Sequence, residues 1–454
     1  MEVVKISNQA QMSELAQKAL DAVRRKGAGL AEVYISNNKE LTVEVRHGRV
    51  ETLKLTEERG LGMRVLLGDR MGFAFTTDLT PGGVEEVAGR AYQNAAAATP
   101  DQYRTIPRPA ERYPEVDVFD PAIRAATVEE KTALAMQMEQ VARDYDPRIK
   151  IIESAVYQDG EAEVFLYNTH GMQLSYRSAA CVLYLALVAG QEDDHQTGFA
   201  IDYVLRYKDL NPEKVGREAA RKAVSMLGAR PVSTMTVPVV LDPYVATSFL
   251  GLLAPSLSAD AVQKNRSLLA ERLGQAVAAA HVQIIDDGSL PGGIASAPFD
   301  GEGVPTRRTV LVDGGVLKAF LHNAYTAARE GVQSTGNGVR HSYKATPEVG
   351  HTNLFIAAGN TAPEAMIKDI SRGLYITEVL GMHTANPISG DFSVGATGLL
   401  IENGQLTRPV RGVTLAGNII DVLQKISGIG HDLTFYGSKG SPTLLVAALT
   451  VGGH

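Results

Sequence analysis

The chain has 454 residues, 44% hydrophobic and 21% charged, with 44 basic against 51 acidic side chains and a formal net charge of −7. That mix excludes disorder, collagen-like repeats and disulfide scaffolds, and the mild acidity argues against a nucleic-acid footprint, which needs a basic excess. At about 150 residues per domain the length suggests two or three domains, each able to bury a core without disulfides or a structural metal.

Residues 1–9 turn polar too early for the apolar core of a signal peptide. The most apolar stretches, 181–189 and 444–451, are about half the roughly 20 residues of a membrane span. A soluble cytoplasmic protein is expected. Over 13–26, Leu15, Ala16, Ala19, Leu20 and Val23 keep helical spacing, and Gly27 is placed to end the helix. Residues 31–36 and 41–45 read as strands. Turns at His47-Gly48 and Gly68-Asp69 lead to further strands over 50–55, 62–67 and 71–77. Thr80-Pro81 predicts a capped helix running to about Ala98. This first unit occupies 1–99.

Pro100, Pro107, Pro109, Pro114 and Pro121 mark an extended connection over 100–126. A capping box, Thr127-Val128-Glu129-Glu130, opens a helix to about Tyr145. Strands follow over 150–157, 162–167, 172–187 and 198–207, and Asn211-Pro212 caps a third long helix. The order helix, strands, helix recurs, and this central unit spans 127–230. The remainder, 231–454, is rich in glycine and strand. Apolar helices are predicted over 244–257 and 267–280, and hairpins around Asp313-Gly314-Gly315 and Asn403-Gly404. The fold class is α+β with mixed and largely antiparallel sheets, helix–meander–helix units preceding a β-rich C-terminal domain.

Familiar chemistries are mostly absent. No two histidines stand four apart, and none is followed by glutamate, so a helical zinc motif is missing. The single cysteine, Cys181, lies in an apolar run and reads as a core residue. Glu192-Asp193-Asp194-His195 could hold a divalent cation or form a solvated loop, and Asp286-Asp287-Gly288 reads as a turn. No Gly-Lys-Ser or Gly-Lys-Thr phosphate loop occurs, and Ser393 misses the Gly-x-Ser-x-Gly elbow by its first glycine. Two glycine-rich segments stand out. Phe299-Asp300-Gly301-Glu302-Gly303 precedes a strand, and Gly390-Asp391-Phe392-Ser393-Val394-Gly395 precedes a hairpin. Both could shape a groove receiving an extended peptide by strand addition.

Together with Arg307-Arg308-Thr309, Ser334-Thr335-Gly336-Asn337 and Leu415-Ala416-Gly417-Asn418, these segments resemble the C-terminal domain of the TldD/PmbA family, and residues 32–77 resemble its first domain. The shared order of motifs covers nearly the whole chain. The family, once called modulators of DNA gyrase, forms a cytosolic zinc peptidase from two related subunits that trims or degrades unfolded peptides. The resemblance implies a zinc-binding His-Glu-x-x-x-His helix and a C-terminal cysteine on the TldD subunit, and neither on TldE/PmbA. In this sequence the helix slot reads Phe249, Leu250, Gly251, Leu252, Leu253, Ala254, Pro255, and Tyr436 stands in the cysteine slot. No zinc ligand transfers, and no cofactor is expected on this chain.

The resemblance implies a TldE/PmbA-like subunit without a catalytic residue of its own. It would pair with a zinc-carrying, TldD-like chain as a heterodimer, or with itself when alone, and handle unfolded peptides without nucleic acid or membrane. The alternative is a stand-alone hydrolase using a metal or acid/base site drawn from Asp300, Glu302, His341, His351, Asp391 and His431. A third reading, a regulator of DNA or gyrase, sits poorly with the acidic balance.

Overall fold

The stripe of Met12, Leu15, Ala16, Ala19, Leu20 and Val23 builds α1 (Gln9–Arg25) in a computed structural model, which describes residues 9–453. The signal-peptide reading of residues 1–8 lies outside those residues, as does His454. The chain continues through β1 (Leu30–Arg46), β2 (Arg49–Leu67), β3 (Arg70–Thr76) and α2 (Pro81–Ala97). After the extended connection come α3 (Pro121–Ala125), α4 (Val128–Tyr145), β4 (Ile149–Asn168), β5 (Gln173–Gln191), β6 (Asp194–Val204) and α5 (Pro212–Ser225). Local chemistry sets the helix starts. Thr80 accepts the Gly83 N–H, Thr127 and Glu130 close the capping box, and Asn211 accepts the Lys214 N–H.

All six strands form one sheet in the order β3-β2-β1-β4-β5-β6, with β1 antiparallel to β4 from Glu32↔Asn168 to Val45↔Ala155. The two helix–meander–helix units are thus joined edge to edge. The strands expected as separate pieces over 31–36 and 41–45, over 50–55 and 62–67, and over 150–157 and 162–167 are single strands, β1, β2 and β4. The polar stretches read as breaks stay in the ladder, Asn37 opposite Glu163 and Lys39 opposite Glu161. They mark where the helix cover changes, not where pairing stops. One apolar core lies under α1 and α2, another under α4 and α5, where Cys181 is fully buried.

The C-terminal region comprises β7 (Met235–Leu241), α6 (Pro243–Leu253), α7 (Ala259–Gln263), β8 (Ile284–Asp287), β9 (Arg308–Asp313), β10 (Val316–Leu317) and α8 (Ala324–Glu330). Next are β11 (Gly338–Val339), β12 (Glu348–Val349), β13 (Leu354–Ile356), α9 (Pro363–Lys368), β14 (Arg372–Leu380), β15 (Asp391–Glu402), β16 (Gln405–Asn418) and α10 (Ile419–Gln424). The chain ends in β17 (Ile426–Ile429), β18 (Thr434–Tyr436), β19 (Lys439–Ser441) and β20 (Leu444–Gly452). One mixed sheet runs β10-β9-β8-β13-β19-β18. Another runs β16-β15-β14-β7-β20-β17 and closes on itself through β16–β20 pairing. Helix α6 packs against both, touching β19 and β18 on one side and β14 and β7 on the other. Its capping residue is Asp242, and Pro255 tightens the following turn into a 3₁₀ segment over Ala254–Leu257.

The helix expected over 267–280 is absent. Asn265, Glu271 and Gly274 take positive φ, breaking the segment into turns while Leu269, Val277 and Ala278 reach the core singly. No helix among the described residues is long and apolar enough to cross a membrane.

Candidate functional site

Helix α6 occupies the slot where the resemblance places a metal helix. Phe249, Leu250, Leu252 and Leu253 are buried in the C-terminal core, and the Phe249 ring meets Phe392 edge-on at 5.0 Å between centroids. Gly251 leaves the remaining face open, and Lys439 fills it: its Nζ lies 3.1 Å from where a Cβ would stand. Tyr436, in the cysteine slot, lies on β18 with its ring edge-on to Tyr244 at 5.1 Å. Hydrocarbon, phenol and an ammonium group form no ligand set for zinc, which takes thiolate, imidazole or carboxylate donors. Among the described residues, no group of three or more His, Cys, Asp or Glu side chains is placed to hold a metal ion.

Near Lys439 is His351, whose Nε2 is 3.4 Å from Ser438 Oγ. Burial and the Lys439 charge push this imidazole down to about 4, so it is neutral at physiological pH. His351 lines a cavity of about 200 Å³ together with Tyr34, Tyr176, Phe299, Asp300 and Arg340. Here the first glycine-rich segment meets the N-terminal sheet. Gly303, at φ +80°, lies so close to Met172 that a side chain would collide with its sulfur.

Asp300 and Glu302 are brought together, but as structural acceptors. Asp300 Oδ1 accepts the N–H groups of Glu302 (2.9 Å) and Val304 (3.0 Å), and Oδ2 accepts that of Gly338 (2.7 Å). Glu302 Oε1 accepts Arg64 Nη1 at 3.0 Å and Oε2 the Ala324 N–H at 2.7 Å. Arg64 also forks onto Glu32, its partner across β1 and β2, at 3.0 and 2.7 Å. Arg340 pairs with the same Glu32 carboxylate and donates from Nε to the Gly301 carbonyl at 3.1 Å. This seam ties the N-terminal sheet to the C-terminal loops.

The electrostatics follow. Burial alone would raise the Glu32 carboxyl, but the Arg64 and Arg340 guanidinium groups hold it below its ordinary value. Burial, then the neighbouring Glu302 charge, push Asp300 up to about 7 against its three backbone donors. Asp286 is a similar case. Burial lifts it to about 6 while Asn337 and Thr352 donate to it at 2.7–2.9 Å. Asp287 does initiate a turn, its Oδ1 accepting from Ser289 N–H.

His341, Asp391 and His431 do not join this group. All three are exposed, and Asp391 accepts from Asn418 Nδ2 at 2.9 Å. The second glycine-rich segment is mostly strand. Asp391, Ser393 and Gly395 pair with β16, Gly395 also pairs with β14, and Gly390 precedes them at φ +82°. The Glu192–His195 cluster is a β5–β6 turn with Glu192 at positive φ. Glu32, Arg64, Arg340 and Lys439 are the site residues that the sequence reading missed. The available hint was a charge set inside an apolar strand, Glu32 between Ala31 and Val33 and Arg64 between Met63 and Val65.

A helix-backed sheet clamped by buried ion pairs onto a closed β-region, with a helix held between two sheets, is the architecture of a metallopeptidase family. Residues 31–95, 121–227 and 234–453 match, respectively, the PmbA/TldA metallopeptidase domain 1, central domain and C-terminal domain, and the chain belongs to the TldD/PmbA family. It is 30% identical to the metalloprotease PmbA of Escherichia coli O157:H7, over 98% of this chain and 96% of that protein. It is 26% identical to a metalloprotease TldD homolog of Haemophilus influenzae, with 95% of each covered. A crystal structure from Thermotoga maritima, of a protein proposed to modulate a DNA gyrase, superposes with a TM-score of 0.91 at 28% identity, covering 97% of this chain and all of that one. TldE from Thermococcus kodakarensis shares the fold, with a TM-score of 0.89 at 23% identity over 98% of this chain and 100% of that one.

Proposed function

We propose that this chain is the TldE/PmbA-like, non-catalytic subunit of a cytoplasmic zinc metalloprotease that trims or degrades unfolded peptides. A TldD-like partner would carry the zinc and the cleavage chemistry. The observation that carries this reading is Lys439 beside Gly251: its ammonium group repels a divalent cation where the family's metal helix lies. The apolar packing of Phe249, Leu250, Leu252 and Leu253 supports it, because those positions serve the core. The saturation of Asp300 and Glu302 by backbone and arginine donors gives no support to a stand-alone acid/base site.

The test is reconstitution. The purified chain, a TldD-like chain and their mixture are assayed for cleavage of an unfolded peptide and for bound zinc. Zinc is expected only where the TldD-like chain is present, with cleavage strongest in the mixture. Zinc-dependent cleavage by this chain alone would overturn the proposal.

A further inference from the structure

The cavity of about 200 Å³ beside His351 is walled largely by aromatic rings. Phe299 is buried and meets Tyr176 edge-on, their centroids 5.1 Å apart. Tyr34 is only 6% exposed, and the Arg340 guanidinium stacks on its ring with Cζ 4.5 Å from the centroid. That contact holds the ring and leaves its hydroxyl free. Among the described residues the Tyr34 oxygen takes part in no hydrogen bond, yet it is not one of the polar atoms sealed inside the protein. Only what enters the cavity can pair with it. His351 adds a second free group: Nε2 faces Ser438 Oγ at 3.4 Å, while Nδ1 has no partner among the described residues.

We propose that this cavity is a binding site for a phenol, a single uncharged aromatic ring carrying a hydroxyl. Size, walls and charge each select that class. A cavity of about 150 Å³ holds one benzene ring, so about 200 Å³ admits one ring with a substituent. Walls made of rings favour an aromatic occupant through edge-on and offset contacts. Charge is selected against. Glu32 and the Arg340 side chain are fully covered and paired with each other, and the Asp300 oxygens already accept three backbone N–H groups. A carboxylate or an ammonium group would lose its hydration here without gaining a free counter-ion. The Tyr34 hydroxyl and the neutral His351 imidazole can each donate or accept, which suits a hydroxyl better than a bare hydrocarbon. The same ring chemistry is offered by a free phenol and by a tyrosine side chain on an unfolded peptide.

The inference does not depend on which chain holds zinc, and its test uses the purified full-length chain alone. p-Cresol, toluene, benzoate and benzylamine are titrated against it by ligand-observed NMR. p-Cresol is expected to saturate at millimolar concentration and to bind about tenfold more tightly than toluene, the worth of one hydrogen bond to a desolvated partner. Tyr34→Phe keeps the ring and should erase that preference, weakening p-cresol about tenfold and leaving toluene within about twofold. An unchanged far-UV circular dichroism spectrum shows that the variant has folded. A blocked alanine–tyrosine–alanine peptide separates the two sources: displacement of p-cresol means that the ring arrives on a peptide, and no displacement that the site takes a free phenol. No saturable binding of p-cresol, binding of toluene, benzoate or benzylamine as tight as that of p-cresol, or a folded Y34F that still prefers p-cresol to toluene would each overturn the proposal.

Discussion

Replacing Arg64 with methionine would remove its donations to Glu32 Oε1 (3.0 Å), Glu32 Oε2 (2.7 Å) and Glu302 Oε1 (3.0 Å) while keeping much of its bulk. Glu302 would retain only the Ala324 N–H, and Glu32 only Arg340. The four side chains of the seam are at most 5% exposed, so the two carboxylates would stay largely desolvated after the guanidinium is lost. Removing one partner of a buried pair costs about 3–5 kcal/mol, because the other charge stays desolvated. An exposed pair such as Lys39–Glu57 lies in the class worth about 0–1 kcal/mol. The chain has no tryptophan, so urea unfolding followed by far-UV circular dichroism is the suitable readout. Glu302→Gln removes one of the stranded charges, so R64M and E302Q should couple by about 1–3 kcal/mol in a double-mutant cycle. A loss below about 1 kcal/mol for R64M, or additivity within about 0.5 kcal/mol, would refute the account of the seam.

Asp300 has a folded pKa raised from 3.8 to about 7. The folded state therefore holds its proton more tightly than the unfolded state, and the stability this contributes falls as pH rises through that window. Asp300→Asn removes the ionisation, so its cost relative to wild type should be larger at pH 5 than at pH 8 in urea titrations; an equal cost at both would contradict the assignment. Gly72 of β3 faces the α2 backbone at Ala91 and Ala95, with no room for a Cβ. Gly72→Ala should cost about 1–3 kcal/mol through overpacking, read as a lowered urea midpoint, whereas Gly89→Ala, in the middle of α2 with nothing near its Cβ position, should gain about 0.5–1 kcal/mol.

What could be read from the sequence was local. Thr80, Thr127 and Asn211 cap their helices because a cap needs only residues two or three positions away. The Asn403-Gly404 hairpin formed for the same reason, with both glycine and asparagine at positive φ. The resemblance located α6 and its missing ligands, since motif order survives low identity. The seam could not be read this way. Its partners Glu32 and Arg340 stand 308 residues apart, and only folding places them together. Strand continuity failed where polar residues filled the middle of the ladder, because alternation reports which face is covered and not whether the backbone is paired. The expected helix over 267–280 had the right apolar content, but periodicity does not register a residue such as Glu271 adopting φ +63°.

The joint between β1 and β4 also sets a schedule for synthesis. After β1 leaves the ribosome, roughly 100 residues must follow before β4 is available, a wait of roughly 5–20 s at ordinary elongation rates. Throughout that interval the nascent chain has the inner edge of β1 uncovered, with Val33 and Ile35 beside it. A chaperone that shields this strand, or a slow codon placed after residue 168 rather than before residue 149, would decide how much of the newborn protein reaches its native sheet instead of pairing with a neighbour on the same polysome.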